Sequence, residues 1–222
     1  MNESSSPSPD PVSATKGLPQ TFLASLLALL LGLATIFLST DHGRAFTTET
    51  LRRSEVDRRP TLIPDFPVIG ADGKRLNLRR WMTTDGRVWI VDFVYTRCQT
   101  VCSSLGSVYQ QLQAQVLARG LQDRIGLLSI SFDPAHDDAA ALSAYTFRMR
   151  MRADTWQVVS LESMADRQRL LDTFGIMVVP APSNEFEHNA ALHIVDGQGR
   201  LVRIVDYDDP AAALAFAMSL RQ

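Results

Sequence analysis

The chain has 222 residues, 45% hydrophobic and 21% charged, with 22 basic against 24 acidic side chains and a formal net charge of −2. This balance excludes a disordered chain and a basic nucleic-acid binder. Glycine (12) and proline (11) are at ordinary levels and no short repeat occurs, so collagen-like, Pro-rich and solenoid architectures fall away and one globular domain is expected.

Residues 1–20 contain the Ser/Pro-rich run Ser4 to Pro11, which cannot bury a core and reads as a disordered tail. Residues 21–40 carry no charge. The run Phe22 to Leu38 would extend about 26 Å as a helix, enough for a thin bilayer. It exceeds the usual length of a signal-peptide core and no A-x-A site follows it, so an uncleaved transmembrane signal anchor is expected. Counting the flanking arginines 44, 52, 53, 58 and 59 would put the rest of the chain in the cytoplasm. A reactive cysteine pair behind a signal-like segment argues for the outer side instead.

Residues 41–63 are polar and Arg-rich and read as a linker or loosely attached arm, followed by a folded domain over residues 64–222. Within it, Phe66 to Leu78 carries two apolar stretches around Asp72-Gly73, a hairpin signal. Arg87 to Tyr95 is a β-branched and aromatic run, the pattern of a strand covered on both faces. Ser103 to Leu121 has helical apolar spacing and stops at Gly120. A second buried strand ends at Asp133-Pro134, a helix runs from Asp137 to Met151, and a short strand from Trp156 to Leu161. Ser163 to Phe174 reads as a helix, Leu192 to Tyr207 as a hairpin, and Pro210 opens a last helix. Strands alternating with helices predict an α/β fold, a mixed central sheet flanked by helices.

Cys98 and Cys102 are the only cysteines. Spaced i, i+4 at a strand-to-helix junction, they are expected to share one face across a helical turn, with a helix N-terminus favouring the thiolate. Such a pair can bridge, exchange disulfides or chelate a metal. A third donor is sought among four histidines. His42 lies in the polar arm; His136 lies in the loop after the Asp133-Pro134 turn; His193 alternates within a strand and reads as a packed core residue. His188 follows the irregular stretch Val179 to Asn184 and lies on a loop that could close over the cysteines. Spacing alone leaves it open between a ligand and a loop residue. Soft thiolates favour copper, zinc or iron-sulfur; two cysteines are too few for an iron-sulfur cluster, and two with one histidine too few for a closed zinc site, which leaves zinc with an open fourth position and copper, of which copper fits best.

These segments resemble the Sco/SenC family of copper-binding proteins, which help assemble the dinuclear copper centre of cytochrome c oxidase. Asp92 to Cys102 is similar to the family's cysteine motif, Ser129 to Tyr145 to its strand, Asp-Pro turn and helix, and His188 to Arg200 to its histidine, strand and turn. The resemblance implies a thioredoxin-like fold behind an N-terminal membrane anchor. It also implies one copper, Cu(I) or Cu(II), on Cys98, Cys102 and His188, delivered to the copper-centre subunit of the oxidase. It implies a bacterial inner-membrane protein with its domain in the periplasm, served by a periplasmic copper donor and a thiol reductant. The alternative is a thiol-disulfide oxidoreductase that uses Cys98 and Cys102 as a redox pair on the acceptor's cysteines. Prolines usual in the family after each cysteine are replaced here by Gln99 and Ser103, which frees the loop.

Overall fold

The computed structural model describes residues 18–39, 48–98, 101–181 and 185–220; the side chains of 18–20, 36–39, 48 and 101–105 lie outside the description. Contacts divide the chain into Met1–Leu51 and Arg52–Gln222. In the first unit, helix α1 (Leu18–Ser39) takes up the uncharged run expected to be helical. Its described side chains, residues 21–35, are all exposed. Among the described residues no helix is long and apolar enough to cross a membrane.

The second unit is built on a mixed sheet, eight-stranded among the described residues, in the order β1-β10-β9-β4-β5-β6-β2-β3. Its centre is β4 (Val88–Val94), β5 (Ile125–Ser131) and β6 (Trp156–Leu161), mutually parallel. Every residue of β4 and β5 is buried, as continuous apolar runs require when helices cover both faces. On one side β9 (Ala191–Val195) and β10 (Arg200–Asp206) add an antiparallel hairpin, with the short β1 (Thr61–Leu62) on its outer edge. On the other, β2 (Pro67–Gly70) and β3 (Arg75–Asn77) form the hairpin signalled by Asp72-Gly73, and Gly73 takes the left-handed backbone (φ 77°) that the turn demands.

The alternation along β4 sorts the core into two layers. Trp89, Val91, Phe93 and Tyr95 meet α3 (Leu78–Asp85), α6 (Arg167–Phe174) and Val56. Val88 and Ile90 meet α4 (Val101–Ala118) and α7 (Pro210–Ser219), and Val94 meets α5 (Ala139–Met149). Helix ends follow local chemistry. Asp138 accepts the Ala141 N–H at the start of α5, Asp209 caps α7 with Pro210 behind it, and Gly175 closes α6 in the left-handed region.

Two expectations are corrected here. The segment read as a loose arm contains α2 (Thr48–Arg58) and β1, and Val56 and Ile63 are buried in the core. Arg52 donates to the Phe174 carbonyl (2.8 Å) and Arg53 pairs with Asp206 (2.6 Å), so polar side chains fasten what a single apolar residue could not. The stretch Val179 to His188, read as irregular loop, supplies β7 (Val178–Ala181) and β8 (Glu185–His188), a separate antiparallel pair. Pro180 is tolerated there because such a pair is all edge.

Candidate metal centre

Chain direction places Cys98 at the C-terminal end of the central strand β4, in a turn where its N–H donates to the Tyr95 carbonyl (3.2 Å). Cys102 lies in the first turn of α4. Cys98 lies before α4 and Cys102 within it; the expected sharing of one face by the two thiols falls on residues outside the description. Gln99 and the side chain of Cys102 lie outside the described residues. The sulfur of Cys98 is half-buried against the apolar layer that holds Tyr95 and Phe132.

Thr96, two residues before Cys98, is held on every polar atom. The buried carboxylate of Asp137 accepts its N–H (2.9 Å) and its hydroxyl (2.6 Å), as well as the Ser131 hydroxyl, and Arg148 donates to its carbonyl (2.6 Å). In the sequence Asp137 shows only as the start of a helical pattern after the Asp133-Pro134 turn. Its spacing to Thr96, 41 residues, hides its role.

His188 ends β8. Its ring meets those of Tyr95 (6.5 Å, 71°) and Phe132 (5.3 Å, 73°) edge-on. The Tyr95 hydroxyl accepts the Phe186 N–H and donates to its carbonyl (both 3.2 Å), which pins β8 against β4. The His188 Nδ1 lies 3.1 Å from the Asn189 carbonyl. A carbonyl only accepts, so Nδ1 carries the proton and Nε2 presents its lone pair. Nε2 is buried and has no hydrogen-bond partner among the described residues.

Burial pushes the imidazole below its ordinary pKa of 6.5. The Asn189 carbonyl and the charge on Cys98 draw it part of the way back. The two residues, 90 positions apart in sequence, both pack on the layer that holds Tyr95 and Phe132. A neutral imidazole with its lone pair unspent, beside a cysteine that can ionise, is the donor chemistry of a soft or borderline metal ion. Among the described residues no group of three metal-binding side chains is assembled.

The other histidines separate from this pair. His193 is buried in β9, with Nε2 3.1 Å from the Phe174 carbonyl and its ring against Phe93 and Phe174, the packed role expected. His136 is half-exposed and its Nδ1 is engaged by Asp133 and Arg97. His42 lies outside the described residues.

The SCO1/SenC family model matches residues 54–219. This chain belongs to the SCO1/SenC family. A SCO1 protein homolog of Bacillus subtilis (strain 168) is 24% identical over 167 residues, 72% of this chain and 84% of the relative. Arabidopsis thaliana ScoI, solved with copper bound, superposes with a TM-score of 0.60 at 14% identity, covering 71% of this chain and 98% of that one. BsSco is described as a member of the Sco family of cytochrome c oxidase assembly proteins, with a disulfide switch. It gives a TM-score of 0.59 at 22% identity, over 73% and 96% of the two chains. The mixed α/β architecture of this chain is thus that of the thioredoxin-like Sco structures, as its resemblance implied.

Proposed function

We propose that this Sco-family chain is a membrane-tethered copper chaperone. Reduced Cys98 and Cys102 with His188 hold one copper and pass it to the copper-centre subunit of cytochrome c oxidase. The observation that carries this reading is the His188 ring, with Nδ1 tied to the Asn189 carbonyl and the buried Nε2 unspent beside Cys98. Copper is cargo, so the site has to release it. The acceptor's donors replace Cys98 first, because its turn precedes the helix and is half-exposed, and His188 and Cys102 follow.

The apolar helix α1 serves in this reading as the anchor. It holds the domain on the periplasmic side of a bacterial inner membrane, where a copper donor and a thiol reductant supply it. The uncharged run of residues 21–40 supports the anchor, and the cysteine pair behind it supports the outer side. A periplasm-only reporter fused after Gln222 is expected to be active, and a cytoplasm-only reporter silent.

The deciding experiment titrates copper into the reduced, oxygen-free full chain in detergent micelles, for wild type and His188→Ala. One tight equivalent is expected, with a thiolate-to-copper charge-transfer band that the variant alters or loses. Equal affinity and an unchanged band in His188→Ala would remove His188 from the site.

A second reading is favoured by one feature, the position of Cys102 in the first turn of α4, where the helix dipole stabilises a thiolate. A reductase would use Cys98 to attack the acceptor's disulfide and Cys102 to resolve the mixed disulfide, leaving the acceptor's thiols reduced and a Cys98–Cys102 disulfide behind. Serine at either position is expected to abolish that turnover, and reductase activity left intact by either substitution would end this reading.

A further inference from the structure

Cys98 has a second approach that the copper site does not use. His188 stands on the layer of Tyr95 and Phe132, whereas α4 and α5 cover the opposite face of the sheet. Between those two helices lies an open groove of about 870 Å³ whose lining runs from Thr96, Arg97 and Cys98 to Gly106, Ala144, Arg148 and Met149. That volume is in the range, roughly 300–1,000 Å³, of built binding sites.

Its chemistry is specific. Among the described residues none that lines it is acidic. Of the nearby carboxylates, Asp137 is buried on Thr96 and Ser131, Asp133 is buried and paired with Arg97 (2.9 Å), and Asp138, exposed, is spent on the N–H of Ala141 as the cap of α5. Arg148 gives one nitrogen to the Thr96 carbonyl and lies over the Tyr145 ring (5.2 Å), and no carboxylate pairs with it among the described residues. Met149 packs directly on the backbone of α4 because glycine stands at position 106: a Cβ there would meet the Met149 sulfur at 2.8 Å. On α5, one turn from Ala144, Phe147 is 87% exposed. Guanidinium groups and an exposed aromatic around a small-residue floor are the composition of protein interfaces rather than of free-anion sites.

We propose that this groove docks an acidic segment of the polypeptide that exchanges with Cys98, laying it along α5 with its carboxylates on Arg97 and Arg148 and its reactive residue at the sulfur. The inference deepens the exchange reading given above and rests on it. Docking from this side leaves His188 in place while the acceptor engages Cys98, so the cargo is never without a protein donor during transfer.

The test uses the reduced full chain in detergent micelles and a fluorescein-labelled peptide of about ten residues, alanine-rich, with glutamates on both sides of a central serine; its counterpart carries lysines in their place. Saturable binding of the acidic peptide alone is expected, weakened about tenfold or more by Arg148→Glu and by Ala144→Trp, which fills the groove without touching the Cys98 turn. Arg119→Glu, in the turn after α4 and beyond the groove, is expected to change nothing. The proposal is overturned by absence of saturable binding, by binding that survives Ala144→Trp, by equal loss in Arg119→Glu, or by release of the peptide with inorganic phosphate at constant ionic strength. Copper titration of the same preparations separates the two readings. Copper bound without peptide removes the groove alone; peptide bound without copper removes the copper centre and keeps the groove.

Discussion

The carboxylate of Asp137 takes both the backbone N–H and the hydroxyl of Thr96, at 2.9 and 2.6 Å, and so ties the β5–α5 turn to the loop that carries Cys98. Asp137→Asn keeps the shape but turns one acceptor into a donor that faces donors. The loss expected is about 1–3 kcal/mol of unfolding free energy, the cost of leaving buried hydrogen-bonding groups unpaired. Alkylation of Cys98, followed in a Cys102→Ser background, is expected to accelerate as the turn loosens. Unchanged stability and alkylation rate would show that Arg148 alone fixes Thr96.

Much of the fold was legible where a signal was local. The Asp72-Gly73 hairpin, the apolar runs of β4 and β5 and the bounds of β6 follow from patterns within ten residues. The signal failed where distant residues supply the reason. Val56 is the buried one of two apolar residues in a polar helix, and the ties of Arg52 to Phe174, Arg53 to Asp206 and Asp57 to Arg203 reveal that α2 is docked. The β7–β8 pair is disguised by Pro180 and Pro182 and by strands of four residues. At the site, the nearness of Cys98 and His188 came from family resemblance, not from spacing, since they are joined only by the packing of Tyr95, Phe132 and Phe186.

Asp92 sits fully buried on β4, and neither oxygen makes a full hydrogen bond among the described residues; Ser129, its partner across the ladder, offsets little. Burial pushes its pKa from 3.8 up to about 8. As pH rises across that window the unfolded chain has already released the proton that the folded chain retains, so stability falls until both forms are ionised. Urea unfolding of wild type at a series of pH values is expected to show this decline between about 4 and 8. Asp92→Asn is expected to flatten it and to be more stable by about 1–3 kcal/mol above pH 8. A decline of equal slope in the variant would assign it to other groups.

His188 works in the opposite sense. Its folded pKa is depressed, so stability is complete above the ordinary histidine value of 6.5 and is lost as pH falls through the lowered folded value. In the Asp92→Asn background the remaining acid-side loss is expected to diminish on adding His188→Ala. Copper uptake is expected to weaken over the same interval, because a proton on Nε2 takes the lone pair the metal needs. Wild type and His188→Ala therefore converge in copper affinity at acid pH and diverge above it. Parallel pH profiles would mean that only the thiols govern uptake.

Asn189 sets which nitrogen His188 offers. Its backbone carbonyl receives Nδ1–H, while its side chain accepts the Met177 N–H (2.7 Å) and donates to the Gly175 carbonyl (3.1 Å), clamping the residue that follows β8 to the end of α6. Asn189→Ala leaves the carbonyl in the chain but removes the clamp, so the ring loses its fixed orientation without losing a donor. Copper affinity is expected to fall by about tenfold, equivalent to about 1.4 kcal/mol, with stoichiometry kept at one. Asn189→Asp can still accept from Met177 but cannot donate to Gly175, and it sets a negative charge beside the imidazole. It should raise the pKa of His188 and shift the acid limb of copper uptake toward higher pH, a displacement that loss of packing alone would not produce. An acid limb that stays in place would show that Asn189 acts on the fold and not on the ring.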